Sequence, residues 1–327
     1  MFPQCPVPRV ERRPWSTSRT RAPASSAGGD PLAQYPDDLP RWREAARIAS
    51  RARDLGLRLT VPGALRREVA DAVESYIRGE GALPAFPVNL SRNMEAAHYT
   101  PSPDDTVRFE AGDLVKVDVG AHLDGAIADT ADTVEVGGGH RYDNLVRAAR
   151  EGVRAGIARV RPGVAVDELS RAIAEAIWAR GLKPIVDLTG HSIERYLLHA
   201  GKSIPNVPGH SDATLVEGEI IAIEPFATNG VGSIENGPFG NILRFRRDPG
   251  GADPVLAKLY DRFRTLPFAT RWAATPEERE ALQRARRTLQ SYPVFVERGR
   301  GWVAQAEHTV LVGPDGADVL SAPTPGA

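Results

Sequence analysis

Residues 114–135 constrain this chain more than any other stretch, because LVKVDVGAHL and AIADTADTVE, two largely apolar runs rich in β-branched residues, flank Asp124-Gly125. Asp-Gly between such runs signals a two-residue hairpin: both turn positions need positive φ, which Gly adopts freely and Asp tolerates. With Asp124 and Gly125 as the turn, Asp129 falls opposite Gly120 and Asp118 opposite Ala131. Asp118 and Asp129 then share one face as diagonal neighbours, with α-carbons about 7–8 Å apart. An Asp on a strand can belong to a solvated edge, but here Val117, Val119, Ile127 and Ala128 surround the pair. Two half-buried carboxylates on one face repel unless a cation or a proton lies between them.

Further chemistry-bearing side chains stand in equally apolar surroundings. The run EIIAIEPF ends in Glu224 before Pro225, and GWVAQAEHTVLV carries Glu307 between Ala306 and His308. A carboxylate inside an apolar strand is costly to bury unpaired, and this chain has two. His191 follows the apolar run IVDL, which predicts an imidazole emerging at a strand end; alone, such a histidine is more often a core or surface residue. Two Asp, two Glu and one His make a hard to borderline donor set suited to two divalent ions of the Mn, Fe, Co or Zn kind. Such a pair of ions activates water and clamps the intermediate of peptide hydrolysis.

Elsewhere the chain is punctuated clearly. Residues 1–37, rich in Pro, Arg, Ser and Ala, lack apolar periodicity and predict a disordered extension. Its five arginines and scarce acids are also found in organelle transit peptides, and a start codon assigned too far upstream accounts for it as well. Helices are expected over RWREAARIASRARDLGLRL and LRREVADAVESYI, then at 140–159 and 165–180. PAFPVNLSRNMEAAHYTP reads as a loop, and strands are expected around 184–189, 219–224, 293–297 and 302–313. Residues 230–292, whose second half reads as polar-surfaced helices, suggest an inserted subdomain within a domain spanning 38–327. No direct internal repeat is visible, although a two-helix, two-strand grouping recurs in both halves.

Charge excludes some partners. With 41 basic against 42 acidic residues there is no global field toward nucleic acid or an anionic membrane. The single cysteine, Cys5, rules out a disulfide framework or a thiolate zinc site, which points to a reducing cytoplasm. No apolar run reaches the length of a membrane span.

Taken in order, PAFPVNLSRN, AAHYTP, KVDVGAHLDGAIADTA, GHSIERYLLHAGKSIPN, AIEPFATNGVG, RTLPFATRW and AQAEHTVLV resemble the signature segments of type 2 methionine aminopeptidases, from about Pro40 to about Gly313. The resemblance implies an α+β pita-bread fold with a helical insertion between the last two metal-binding carboxylates. It implies a cytoplasmic enzyme, a monomer, that uses two divalent ions to remove the initiator methionine from nascent chains, with transient contact to the ribosome.

Carried over by position, Asp118 and Glu307 resemble the bridging ligands, Asp129 and His191 ligands of one ion each, and Glu224 a ligand that also accepts a proton. His98 and His199 match the histidines that touch substrate. Phe86, Leu198, Pro267 and Tyr292 are candidates for the methionine pocket wall. Ala306 stands where the family usually has Phe, and NGPFGNILRF aligns poorly, which bears on the pocket's shape. His122, His140, His210 and His308 have no assigned role. The competing readings are a prolidase or X-Pro aminopeptidase and an inactive relative that binds ribosomes or RNA; the latter would be expected to have lost ligands.

Overall fold

The computed structural model describes residues 35–285 and 288–322. Of the extension expected at residues 1–37, positions 1–34 lie outside the described residues. The first half comprises α1 (Leu39–Leu59), α2 (Arg66–Gly79), β1 (Leu83–Pro84), β2 (Asn89–Arg92), β3 (Glu95–Ala97), β4 (Leu114–Leu123) and β5 (Ala126–Glu135). The hairpin β4–β5 has the expected register, with Asp118 opposite Ala131 and Gly120 opposite Asp129. Asp124 and Gly125 both take positive φ, 48° and 82°, as a type I′ turn requires.

Helix α1 lies across this hairpin because its inner face is made of small residues. Ala45, Ala46, Ala49, Ala52 and Gly56 are buried, and a Cβ on Gly56 would come within 2.7 Å of Val117. Close approach of helix to sheet lets Val115, Val117 and Val119 bury completely, each such side chain adding about 1.5–3 kcal/mol.

The second half repeats this plan. It runs through α3 (Asp143–Ile157), α4 (Val166–Trp178), β6 (Lys183–Pro184), β7 (Thr189–Ile193), β8 (Ser203–Pro205), β9 (Ile220–Ile223) and β10 (Phe226–Thr228). Pro62-Gly63, before α2, recurs as Pro162-Gly163 before α4, with φ of 85° and 77° at the glycines. Gly81 and Gly181 end the two helices in the same left-handed conformation, at 82° and 71°. The recurrence of the two-helix grouping is therefore present in the backbone as well.

Next come β11 (Ile234–Phe245), α5 (Pro254–Phe263), β12 (Phe268–Ala269), a 3-10 turn (Thr270–Trp272) and α6 (Pro276–Arg284), then β13 (Leu289–Glu297), β14 (Val303–Gln305), β15 (His308–Val312) and β16 (Ala317–Val319). Among the described residues, four sheets have the orders β1-β4-β2 with β5 also on β4, β14-β10-β6, β12-β11-β13-β3 and β16-β15-β9-β7-β8. Helices α5 and α6 bury Leu256, Leu259, Ala281 and Leu282 against Phe245 and Phe268, forming a core of their own.

Three local expectations need correction. The supposed loop after α2 contains β1, β2 and β3, each held by pairing with distant β4 or β13. The run IVDL is a turn whose Ile185 and Leu188 are buried, and the strand lies at Thr189–Ile193, so His191 sits inside it. The segment 230–292 has helices α5 and α6 in its second half, and its first half, for which no structure was expected, forms the long strand β11. The expected strand 302–313 is broken at Ala306-Glu307. Its partner breaks opposite, at Glu224-Pro225, because Pro225 has no amide to donate.

Candidate metal centre

The paired break aims two carboxylates inward. Register runs through it, from Ile223 opposite His308 to Phe226 opposite Gln305, which sets Glu224 against Glu307. Freed from strand pairing, the amide of Glu307 donates to the carbonyl of Ala131 on the hairpin at 2.9 Å. Further hydrogen bonds tie the same strand to β5: Thr130 Oγ1 donates to the Glu307 carbonyl at 2.9 Å and Thr133 Oγ1 to the Gln305 carbonyl at 2.7 Å. The hairpin of the first half is thereby laced to β14 and β15 of the second.

Five side chains meet at this seam. His191, opposite Ala222 on β9, points Nε2 to Glu224 Oε1 at 3.5 Å and Asp129 Oδ2 at 3.7 Å. Asp129, His191 and Glu307, all buried, bring ligand atoms within 4.8 Å of one another. Asp118 lies beside them on the hairpin face, its Oδ2 accepting from Asn89 Nδ2 at 3.3 Å. Gln305 Nε2 reaches Glu307 Oε2 at 3.2 Å and Glu224 Oε2 at 3.5 Å.

What these carboxylates lack is positive charge. Burial pushes the Asp118 carboxyl up to about 7. Burial, with repulsion from neighbouring carboxylates, holds Asp129, Glu224 and Glu307 well above their usual range. Burial drives His191 well below the ordinary histidine value, with the charge of His199 adding to it. Asp118 Oδ1, Asp129 Oδ1 and Glu307 Oε1 are cut off from solvent without a hydrogen-bond donor. Buried acceptors this crowded are stable only when neutralised, and orphaned oxygens beside an unprotonated imidazole fit a divalent cation.

The two other histidines line the same cavity, of about 830 Å³ including its open mouth. His98 adopts a left-handed φ of 67° and its ring packs on Tyr292 and Phe295, with centroids 5.4 and 4.5 Å away. His199 stacks obliquely on His191 at 4.2 Å. Burial lowers both to about 4, so they are neutral at physiological pH. Phe86, Leu198, Pro267 and Tyr292 all line this cavity, with Ile242, Phe226 and Phe295 adding apolar wall.

Of the unassigned histidines, His122 accepts from the Gly125 amide at 3.1 Å and His308 bonds Ser321 Oγ at 3.0 Å; both are structural. His140 and His210 are exposed. The sequence reading missed Asn89, Phe295, Gln305 and Thr309. An Asn or Thr in an otherwise apolar strand was the available signal, and Asn89 becomes conspicuous once β2 is paired with β4.

Comparison with known proteins agrees with this geometry. The model of metallopeptidase family M24 matches residues 41–314. A methionine aminopeptidase of Pyrococcus abyssi is 44% identical over 87% of this chain and 99% of its own. Two solved structures share the fold: a methionine aminopeptidase from Thermotoga maritima, with TM-score 0.67, 23% identity and coverage of 89% of this chain and 99% of that one, and a thermophilic Arx1, with 0.78, 17%, 90% and 93%. Matched along nearly all of its described length, with a buried acid–imidazole cluster at the seam of its two halves, the chain belongs to metallopeptidase family M24, among its methionine aminopeptidases.

Proposed function

We propose that this chain removes the N-terminal methionine from nascent polypeptides, using two divalent ions held by Asp118, Asp129, His191, Glu224 and Glu307. One observation carries the reading: the five donors, the two neutral histidines and an apolar wall share a single cavity. Family membership implies divalent metal use; the pair of ions, and their identity as Co, Mn, Fe or Zn, is the proposal. Bound there, the ions would lower the pKa of a water and polarise the scissile carbonyl.

The chain's own residues do the rest. Glu224, adjoining the cluster but open on its cavity side, takes the proton of the attacking water. His98, neutral and held between Tyr292 and Phe295, hydrogen-bonds the peptide group and the leaving nitrogen. His199 donates to the developing oxyanion. Phe86, Leu198, Pro267 and Tyr292 receive the methionine side chain, a flexible thioether that fills an apolar slot without needing a polar partner.

We further propose a monomer at work in the cytoplasm that touches the ribosome only in passing. The domain spans 38–327, with 230–292 as its insertion and 1–37 as an extension. No helix among the described residues is long and apolar enough to cross a membrane.

Peptide hydrolysis across added Mn, Fe, Co and Zn tests the assignment. Met-Ala-Ser should be cleaved, Leu-Ala-Ser poorly and an X-Pro peptide not at all, and Glu224→Gln should abolish turnover. Preference for the X-Pro peptide would assign the prolidase chemistry of other family members instead. No hydrolysis with any metal would favour an inactive binding relative.

A further inference from the structure

Strand β11 carries a cation just beyond the last of its residues to line the cavity. Ile242, paired with Tyr292, is buried and lines the cavity; Arg244, paired with Gln290, is the next residue on the same face. Asn241 and Leu243 line a separate groove on the other face. Exposure rises along this face, from buried Ile242 through half-buried Arg244 to exposed Arg246, so Arg244 follows the cavity-lining Ile242 toward solvent.

Arg244 is poorly partnered there. Its Nε is cut off from solvent and without an acceptor, and among the described residues no carboxylate lies within 4.0 Å of its guanidinium. Its guanidinium bears instead on His199 and on the Tyr292 hydroxyl, to which it is also hydrogen-bonded, which places it on the cavity side of the strand. A half-buried guanidinium with no carboxylate partner can take one through its terminal nitrogens, and a planar donor fork matches a carboxylate.

Resting on the aminopeptidase reading, we infer that Arg244 is a specificity-determining residue that binds a carboxylate on the leaving side of the substrate. The methionine side chain occupies the apolar wall and its amino end faces the acid cluster, so the rest of the peptide passes His199 toward the mouth. A carboxylate there comes either from an acidic side chain shortly after the scissile bond or from the free C-terminus of a very short peptide.

The test compares amidated Met-Ala-Glu-Ser with amidated Met-Ala-Gln-Ser, and Met-Ala as free acid with Met-Ala amide. Wild-type enzyme should favour at least one carboxylate-bearing member by about five- to twentyfold in kcat/KM, and that preference should shrink as ionic strength rises. Which pair shows it identifies the source of the carboxylate. Arg244→Gln should erase the preference and Arg244→Lys should restore part of it, acting mainly through KM. Equal rates within both pairs for an enzyme that cleaves all four peptides would overturn the role of Arg244 while leaving the aminopeptidase reading intact. Failure to cleave any of them would overturn that reading itself.

Discussion

The hydroxyl of Thr309 makes two hydrogen bonds to a single residue, donating to the carbonyl of Asp129 and accepting from its amide, both at 2.7 Å. Thr309 lies on β15 and Asp129 on β5, so the bonds cross the seam between the halves. Thr309→Val keeps the shape and leaves the amide and carbonyl of Asp129 buried and unpaired. The expected loss is about 2–4 kcal/mol in urea unfolding, with metal affinity weakened about 10- to 100-fold because a proposed ligand loses its support. Metal titration giving the parent's affinity would refute the positioning role.

Metal and pH should act together. Asp118 is raised above its unfolded value near 3.8, so what its protonated form contributes to stability is present below that pH and is lost as pH climbs through about 7. A cation must displace that proton and so competes poorly in acid. The gap in melting temperature between Mn-loaded and EDTA-treated protein should therefore widen from pH 5.5 to pH 8. Comparing the two forms at each pH cancels histidines remote from the cluster, such as His122 and His308, which titrate alike in both. A gap that is constant or narrows would refute the assignment.

Gly120 has room for no side chain, since a Cβ there would lie 2.2 Å from the ring of Phe86. Gly120→Ala should push that ring into the cavity and raise KM for methionine peptides severalfold, while overpacking costs about 1–3 kcal/mol. An unchanged KM would remove Phe86 from the pocket wall.

Glu74, 1% exposed, receives hydrogen bonds from Trp272 Nε1 at 2.7 Å and Val88 N at 3.2 Å and pairs with Arg271, which docks the turn after β12 onto α2. Glu74→Ala removes the buried carboxylate and leaves the Arg271 guanidinium only the more exposed Asp71 at 3.4 Å and its hydrogen bonds to Thr100 Oγ1 and the Pro101 carbonyl, which should cost about 3 kcal/mol. Arg284→Ala, at the more exposed Asp253 pair 3.1 Å apart, should cost less than about 1 kcal/mol. Calorimetry of the two variants separates these cases, and similar losses would show that burial is not what decides.

The hairpin was legible because its information is local: a turn that demands Asp-Gly and alternating faces on either side. The proposed ligand carboxylates stood out because charge in an apolar run is expensive. What escaped the sequence depends on distant pairing. Strands of two to four residues such as β1 and β2 exist only as partners of β4, and the strand break at Glu307 is set by Pro225, some eighty residues earlier. Arg244 escaped because register shifts between Asn236 and Ile242 reset which face each β11 residue takes, so alternation counted along the sequence cannot locate it.

The lacing of β5 to β14 and β15 also orders the protein's making. Four of the five proposed ligands have been synthesised by Glu224, yet Glu307 and the hydroxyl of Thr309 arrive only after another eighty residues. A nascent or prematurely terminated chain ending before β15 would carry an incomplete ligand set, with an unsupported Asp129. On that assignment, hydrolytic capability waits for the synthesis of β15, and a chain cut short before it would be silent.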